Sequence, residues 1–81
     1  MYIRVFGALW CPMTTGTLRH LDQLGVKYDF IDVETDPKAA EWVRRQNDGK
    51  ERKPTLDMDG VILAEPSDAE VDRVLKELNF A

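Results

Sequence analysis

The residue of this chain with the clearest chemical capacity is its single cysteine, Cys11, which lies in the segment Trp10-Cys11-Pro12. An apolar segment precedes it and a run with helical spacing follows it. A thiol at a strand-to-helix junction lies beside backbone N–H groups without helical partners and beside the positive end of the helix dipole. Both features favour the thiolate, the reactive form of cysteine. The setting therefore predicts a redox-active thiol.

Three residues further on, where a CxxC redox motif has its second cysteine, this chain has Thr14. We therefore predict a one-thiol redox protein. The Thr14 hydroxyl can donate a hydrogen bond to the thiolate, which would lower the pKa of Cys11. The alternatives are that Thr14 is an ordinary first-turn residue and that Cys11 is a structural cysteine behaving as a small apolar side chain.

Composition limits the kind of protein that can carry this thiol. With 81 residues, 43% of them hydrophobic, there is room for one domain, 1–81, with a modest core. No segment reaches the apolar length that spans a bilayer and no signal peptide is visible, so we expect a cytoplasmic protein with no membrane partner. A single cysteine excludes an internal disulfide, and because the chain also has only one histidine, a metal site is not expected. The net charge of −4 argues against nucleic acid as a partner.

The hydrophobic pattern predicts seven elements in the order β-α-β-α-β-β-α. They are the strand Tyr2–Phe6, the helix Pro12–Leu24 ended by Gly25, the strand Val26–Val33, a helix from Asp36-Pro37 to Asn47-Asp48-Gly49, the strands Pro54–Met58 and Val61–Ala64, and a helix that opens with Ser67-Asp68-Ala69-Glu70. Proline suits a first helical position, glycine a helix C-terminus, and Asp59-Gly60 a two-residue hairpin. Ser67 and Glu70 have the spacing of a capping box. The opening strand, helix and strand form a βαβ unit with parallel strands.

This order, with a cysteine at the first strand-to-helix junction and a proline opening the third strand, resembles the thioredoxin fold in its small glutaredoxin form. The resemblance covers essentially the whole chain. Its matching segments are Trp10-Cys11-Pro12, the strand from Tyr28 to Glu34, Lys53-Pro54-Thr55, and the tail from Asp59-Gly60 to Ser67-Asp68. The second strand, the helix around Trp42 and Glu65-Pro66-Ser67 are most similar to mycoredoxins and NrdH-like redoxins. The resemblance implies an α/β fold with a four-stranded mixed sheet flanked by three helices.

The resemblance makes Cys11 the nucleophile and gives roles to its neighbours. Pro12, Thr14 and Lys53 would stabilise the thiolate. Lys53 replaces an apolar residue of the family, and its ammonium would substitute for the lysine that many glutaredoxins carry where Ala8 stands. The alternative for Lys53 is a solvated lysine in a basic run. Pro54 is expected to be cis, and the backbone of Lys53 before it would pair with the peptide-like chain of a bound thiol.

The last helix and two exposed side chains would complete the substrate site. In glutaredoxins, the pair that matches Ser67 and Asp68 holds the γ-glutamyl end of glutathione, the backbone N–H groups taking its carboxylate and the aspartate its amine. Trp10 would face the partner and Met13 would flank the groove. Trp42 is expected in or at the edge of the core, and His20 on the surface rather than as a catalytic base.

The implied function is that of a monothiol glutaredoxin-like thiol–disulfide oxidoreductase. Its substrates would be mixed disulfides between proteins and glutathione, mycothiol or bacillithiol, and its partners S-thiolated or oxidised proteins. We expect no resident cofactor or metal and a monomeric protein. One alternative is a thioredoxin-fold binding module that does not turn over. Another is an iron–sulfur carrier in which two chains each provide Cys11, against which Pro12-Met13-Thr14 argues because it differs from the CGFS motif of such carriers.

Overall fold

The computed structural model describes residues 1–80, and its elements follow the predicted order. They are β1 (Ile3–Gly7), α1 (Pro12–Leu24), β2 (Asp29–Asp32), α2 (Pro37–Gln46), β3 (Thr55–Met58), β4 (Val61–Ala64) and α3 (Asp68–Glu77). The prediction of a four-stranded mixed sheet with three helices is confirmed.

The sheet has the strand order β2-β1-β3-β4, so β1 is internal. It pairs in parallel with β2, where Val5 lies opposite Phe30, and antiparallel with β3, where Val5 lies opposite Leu56. β3 and β4 form the predicted hairpin, in which Asp59 and Gly60 have φ angles of 54° and 94°, as a type I′ turn requires. The strand that leads to Cys11 is therefore hydrogen-bonded on both sides.

A hydrophobic cluster lies on each face of the sheet. The cluster shared with α1 and α3 consists of Ile3, Val5, Leu21, Val26, Leu56, Met58, Val71, Val74 and Leu75. The cluster shared with α2 consists of Phe6, Val33, Ala39, Ala40 and Val43. Trp42 is half-buried at the edge of the second cluster, as predicted, with its ring stacked 4.5 Å from that of Phe6. The alternation of β1 side chains thus anchors helices on both faces.

The second strand is shorter than predicted. The pattern predicts Val26–Val33, but β2 begins at Asp29, which pairs with Arg4 close to the start of β1. The N–H of Val26 instead donates to the carbonyl of Leu21 at the end of α1. A strand extends only as far as its partner, and β1 begins at Ile3, so in this register Val26 and Lys27 have no strand residue opposite them.

The first strand is displaced by one residue from its predicted position, Tyr2–Phe6. Tyr2 lies outside β1 and is 57% exposed. Its backbone exchanges hydrogen bonds with Asp59 at the hairpin, with Tyr2 N–H donating to Asp59 Oδ1 and Asp59 N–H donating to Tyr2 O, each at 2.9 Å. At the other end, Gly7 belongs to the strand. The sheet therefore reaches closer to Cys11 than predicted.

The helix ends follow the sequence signals. α1 begins at Pro12 and ends before Gly25, which has a left-handed φ of 72°. The capping box of α3 forms as predicted. Within residues 1–80, no helix has both the length and the apolar character needed to cross a membrane.

Candidate active site

Cys11 is the N-cap residue of α1, with extended backbone angles of −84° and 118°. Its N–H donates to the carbonyl of Ala8 at 3.0 Å, which closes the turn between β1 and α1. Pro12 takes the first helical position and has no N–H, so Met13 and Thr14 present the first free donors of the helix. The half-buried thiol thus lies at the helix start that the sequence predicts.

This environment lowers the pKa of the Cys11 thiol. The largest cause is the backbone N–H of Thr14, and the Thr14 hydroxyl, the Met13 N–H and the Lys53 ammonium lower the pKa further, while partial burial raises it. Donors and positive charge near the sulfur favour its anion. The Thr14 hydroxyl lowers the pKa of Cys11 in the direction that the sequence predicts, but the backbone N–H of Thr14 has the larger effect. Pro12 can act only by fixing where the helix begins.

Thr14 is fully buried between the end of β1 and the first turn of α1. Its Oγ1 accepts a 3.4 Å hydrogen bond from the N–H of Ala8. A Cβ added to Gly7 would lie 2.6 Å from Oγ1 and 2.7 Å from Cγ2 of Thr14. Thr14 therefore fits only because Gly7 has no side chain, and this close packing sets the distance between the sheet and the helix start.

The loop before β3 lies against the thiol. The Lys53-Pro54 peptide bond is cis, as predicted, and the Cys11 thiol donates to the carbonyl of Lys53 at 3.9 Å. The Lys53 side chain is only 18% exposed. Its ammonium lies 3.2 Å from a carboxylate oxygen of Glu51 and 5.6 Å from the centre of the Trp10 ring. Lys53 is thus a largely buried cation near the Cys11 thiol rather than a freely solvated lysine.

The Trp10 side chain is exposed to solvent next to Cys11. It is 68% exposed, and its indole N–H donates to Glu34 Oε1 at 2.6 Å. Leu9 and Met13, which are 61% and 48% exposed, lie next to Cys11 in the chain. Sequence reasoning did not single out Leu9 or Glu34. An apolar residue in a loop beside the cysteine was the signal for Leu9, whereas the contact of Glu34 arises only in the fold.

A cleft of about 310 Å³ opens between α1 and the start of α3, and Met13, Ser67 and Asp68 from the predicted site lie in its wall. The N–H of Ser67 donates to Glu70 Oε1 at 3.0 Å, and the N–H of Glu70 donates to Ser67 Oγ at 3.2 Å. The Ser67 N–H that the resemblance assigns to a substrate carboxylate is therefore already satisfied by Glu70.

His20 also lines this cleft, and its contacts were missed by sequence reasoning. Its Nε2 lies 2.7 Å from Asp72 Oδ1 and its Nδ1 lies 3.6 Å from Asp68 Oδ2, so it links α1 to α3. The side chain is 17% exposed, which makes His20 a partly buried link between helices rather than the expected surface residue.

The arrangement is suited to nucleophilic thiol chemistry. It presents one thiol of lowered pKa at a helix start, next to a cation and exposed apolar side chains. In the part of the chain that the structure describes, no three His, Cys, Asp or Glu side chains are grouped to hold a metal ion. With one cysteine in the sequence, a disulfide formed at this site must join Cys11 to another molecule.

Comparison with known proteins identifies the family. The family model described as glutaredoxin matches residues 3–63. The chain belongs to the glutaredoxin family. Mycoredoxin 1 from Corynebacterium glutamicum is 40% identical over 70 residues, which covers 85% of this chain and 86% of that protein. This glutaredoxin-family membership supports thiol–disulfide oxidoreductase activity, and the family typically acts with low-molecular-weight thiols and protein disulfides.

Solved structures show the same fold. NrdH-redoxin from Escherichia coli has a TM-score of 0.81 at 23% identity, covering 91% of this chain and 95% of that chain. A glutaredoxin from Brucella melitensis has a TM-score of 0.72 at 14% identity, with coverages of 98% and 85%. The glutaredoxin-family chain described here therefore has a thioredoxin-like fold.

Proposed function

We propose that this glutaredoxin-family protein reduces mixed disulfides between proteins and a low-molecular-weight thiol by a monothiol mechanism. The observation that carries the proposal is the lowered pKa of Cys11 at the start of α1, in a chain that has no second cysteine. Glutathione, mycothiol and bacillithiol are the candidate small thiols. The similarity to Mycoredoxin 1 favours a thiol other than glutathione.

The reaction consists of two thiol–disulfide exchanges. The Cys11 thiolate attacks the small-thiol sulfur of the mixed disulfide, the S–S bond breaks, and the protein thiolate leaves with the electron pair and takes a proton from solvent. Cys11 is then disulfide-bonded to the small thiol. A second small-thiol thiolate attacks that sulfur, releases the Cys11 thiolate and forms the small-thiol disulfide. The pKa values of attacking and leaving thiols set the rates.

The neighbours of Cys11 support this sequence of steps. The N–H groups of Met13 and Thr14, the Thr14 hydroxyl and the Lys53 ammonium stabilise the Cys11 thiolate both before attack and as leaving group. We propose that Pro12 fixes the helix start. The low pKa speeds release of Cys11 in the second exchange, because a lower leaving-group pKa gives faster departure.

We propose that the substrate lies across the loop before β3 and toward α3. The backbone of Lys53, next to cis-Pro54, would pair with the amide groups of the small thiol. Trp10 and Met13 would contact the partner protein, which fits their exposure. Asp68 remains a candidate acceptor for a substrate amine. Ser67 can receive a carboxylate on its N–H only if the Glu70 side chain moves away.

A cytoplasmic monomer with no resident cofactor is the simplest setting for this reaction. The small thiol is a co-substrate that arrives and leaves in each cycle. A protein whose activity requires a reduced Cys11 fits a reducing compartment, in which thiols are kept free.

The decisive experiment is turnover of a peptide mixed disulfide by the purified protein with excess small thiol. We expect catalysis with ping-pong kinetics, and mass spectrometry should show one small thiol attached to Cys11 as the intermediate. Glutathione, mycothiol and bacillithiol are each tested as the thiol. A binding module would show no turnover with any of them, and an iron–sulfur carrier would show visible absorbance when freshly purified; either result contradicts the proposal.

Replacing Lys53 with methionine is expected to raise the pKa of Cys11. The Lys53 ammonium favours the thiolate, and the methionine side chain would retain an apolar stem of similar length without the charge. Because only the thiolate reacts, the alkylation rate of the wild type rises with pH and levels off above the pKa of Cys11. Since that pKa is lowered, the rate should level off at a lower pH than for an unperturbed cysteine. In Lys53→Met the rise should move to higher pH.

The measurement is the iodoacetamide alkylation rate of Cys11 as a function of pH. Lys50→Met is the matched control, since Lys50 is exposed in the same segment and is not among the causes that shift the pKa of Cys11. If the pH profiles of alkylation for Lys53→Met and the wild type coincided, Lys53 would not be a residue that stabilises the Cys11 thiolate.

A further inference from the structure

Gly16 lies in the interior of α1, where the fold itself gives no reason for a glycine. Glycine in a helix interior is destabilising relative to alanine. Among residues 1–80, no atom outside its local helix lies within 4 Å of a Cβ built on Gly16. Gly7 is the opposite case, because a Cβ there would meet Thr14 at 2.6 Å. Packing within this chain therefore requires a glycine at position 7 but not at position 16.

Gly16 forms part of the wall of the 310 Å³ cleft between α1 and α3. It lies five residues after Cys11, or about 7.5 Å along the helix axis at the rise of an α-helix. Met13 lies between them in the same wall. The volume is at the lower end of the range for small-molecule sites. Cys11 does not itself line the cleft, so a small molecule whose sulfur is at Cys11 would have to extend past Met13 to place its other end against the backbone of Gly16.

The lining of the cleft favours uncharged polar groups. Thr17 and Gln23 contribute a hydroxyl and an amide. The one carboxylate in the lining, that of Asp68, lies 3.6 Å from His20, and the one guanidinium, that of Arg19, is exposed. The cleft thus has no surplus of either charge with which to select an ionic ligand.

We propose that Gly16 is a specificity-determining position for the small thiol. Because Gly16 has no side chain, the uncharged, hydrogen-bonding part of the thiol that is distant from its sulfur lies against the backbone of α1. This inference rests on the proposed function, since it describes how the small thiol of that reaction is held. It places the distal part of the ligand on α1, in addition to the expected contacts at Lys53 and Asp68.

The test uses Gly16→Ala and Gly16→Leu, with Glu41→Ala on the exposed side of α2 as a control outside the cleft. One cysteine peptide is joined to 2-mercaptoethanol, to glutathione or to mycothiol, whose distal part is an uncharged, hydroxyl-rich pseudodisaccharide. For the mycothiol disulfide, we expect Gly16→Leu to raise KM about tenfold, with a smaller rise for Gly16→Ala. The 2-mercaptoethanol disulfide should be reduced equally well by all variants, because it has no distal part.

Thermal unfolding separates a specific effect from damage to the fold. Gly16→Ala should raise Tm by roughly 4 °C, because alanine favours the helix and the added methyl group meets open space. A variant that is more stable yet has a higher KM for the larger thiol is the result expected of a binding cleft. An unchanged KM in Gly16→Leu overturns the proposal, and an equal rise with glutathione overturns the assignment of an uncharged ligand.

A binding measurement keeps this test independent of turnover. S-methyl mycothiol, which cannot exchange, is titrated into the wild type and Gly16→Leu while backbone amide shifts are followed by NMR. We expect shifts at Gly16 and Thr17 in the wild type and weaker binding in Gly16→Leu. Amide shifts without turnover of any disulfide would reject the proposed function but keep the cleft as a binding site. Turnover without such shifts would keep the proposed function and reject the role of Gly16.

Discussion

Replacing Cys11 with serine is expected to lower the turnover of a protein mixed disulfide by about a thousandfold or more, to the rate of the uncatalysed exchange. In the proposed mechanism the nucleophile and the sulfur that carries the small thiol are the same atom, and the chain has no other cysteine to take over. A serine hydroxyl does not ionise in the range where the Cys11 thiol does, and the stabilising donors cannot compensate for this difference.

The serine variant should remain folded, so loss of activity can be assigned to the chemistry. Serine is a favoured N-cap residue, and Cys11 occupies the N-cap position of α1. Thr15→Val is the matched control, because among residues 1–80 the Thr15 hydroxyl bonds only the carbonyls of Cys11 and Pro12, at 3.4 and 3.2 Å. We expect near wild-type turnover in this control. Turnover that survives in Cys11→Ser would exclude the thiol mechanism.

Replacing Gly7 with alanine should both destabilise the protein and impair its thiol. The new methyl group would lie 2.6 Å from Thr14 Oγ1, so Thr14 and the first turn of α1 must shift. Overpacking of this kind costs about 1–3 kcal/mol of unfolding free energy. Because the Thr14 N–H is the largest cause of the lowered pKa of Cys11, its displacement should raise that pKa. Urea unfolding and the pH profile of alkylation measure the two effects.

A double substitution tests whether the contact with Thr14 is responsible. Thr14→Ala removes the two atoms nearest to the Gly7→Ala methyl group, Oγ1 and Cγ2, and leaves only Cβ of residue 14 at 3.2 Å. The two changes together should destabilise the protein by less than the sum of the single changes. The reason is that Thr14→Ala makes room for the methyl group that Gly7→Ala adds. Gly16→Ala provides a comparison, since the same chemical change there meets open space. Strictly additive free energies would contradict the packing explanation.

Local signals predicted those parts of the fold that depend on neighbouring residues. Pro12 and Gly25 bound α1 as expected, because a first-turn proline and a left-handed glycine act on the backbone directly. The strand β2 was predicted too long because its length depends on where β1 begins, and no residue of β2 encodes that. The length of a strand therefore depends on the neighbouring strand as well as on its own residues.

The candidate site shows the same division. The position of Cys11 at a helix start follows from a short segment, and the cis bond before Pro54 followed from the resemblance. The contacts of His20 with Asp68 and Asp72 join positions about fifty residues apart, so no local pattern could reveal them. For Ser67, the sequence favoured both a capping box and a substrate-binding N–H, and only the fold shows that the box is formed.

In the capping box at the start of α3, the Glu70 side chain occupies an N–H that a carboxylate ligand would need. The Glu70 carboxylate is attached three residues from the N–H that it occupies, so its local concentration there far exceeds that of a dissolved ligand. An incoming carboxylate must displace it, whereas a ligand with neutral groups encounters no such rival. Under the proposed function, this glutamate in the first turn of α3 would therefore disfavour a co-substrate that presents a carboxylate to the Ser67 N–H.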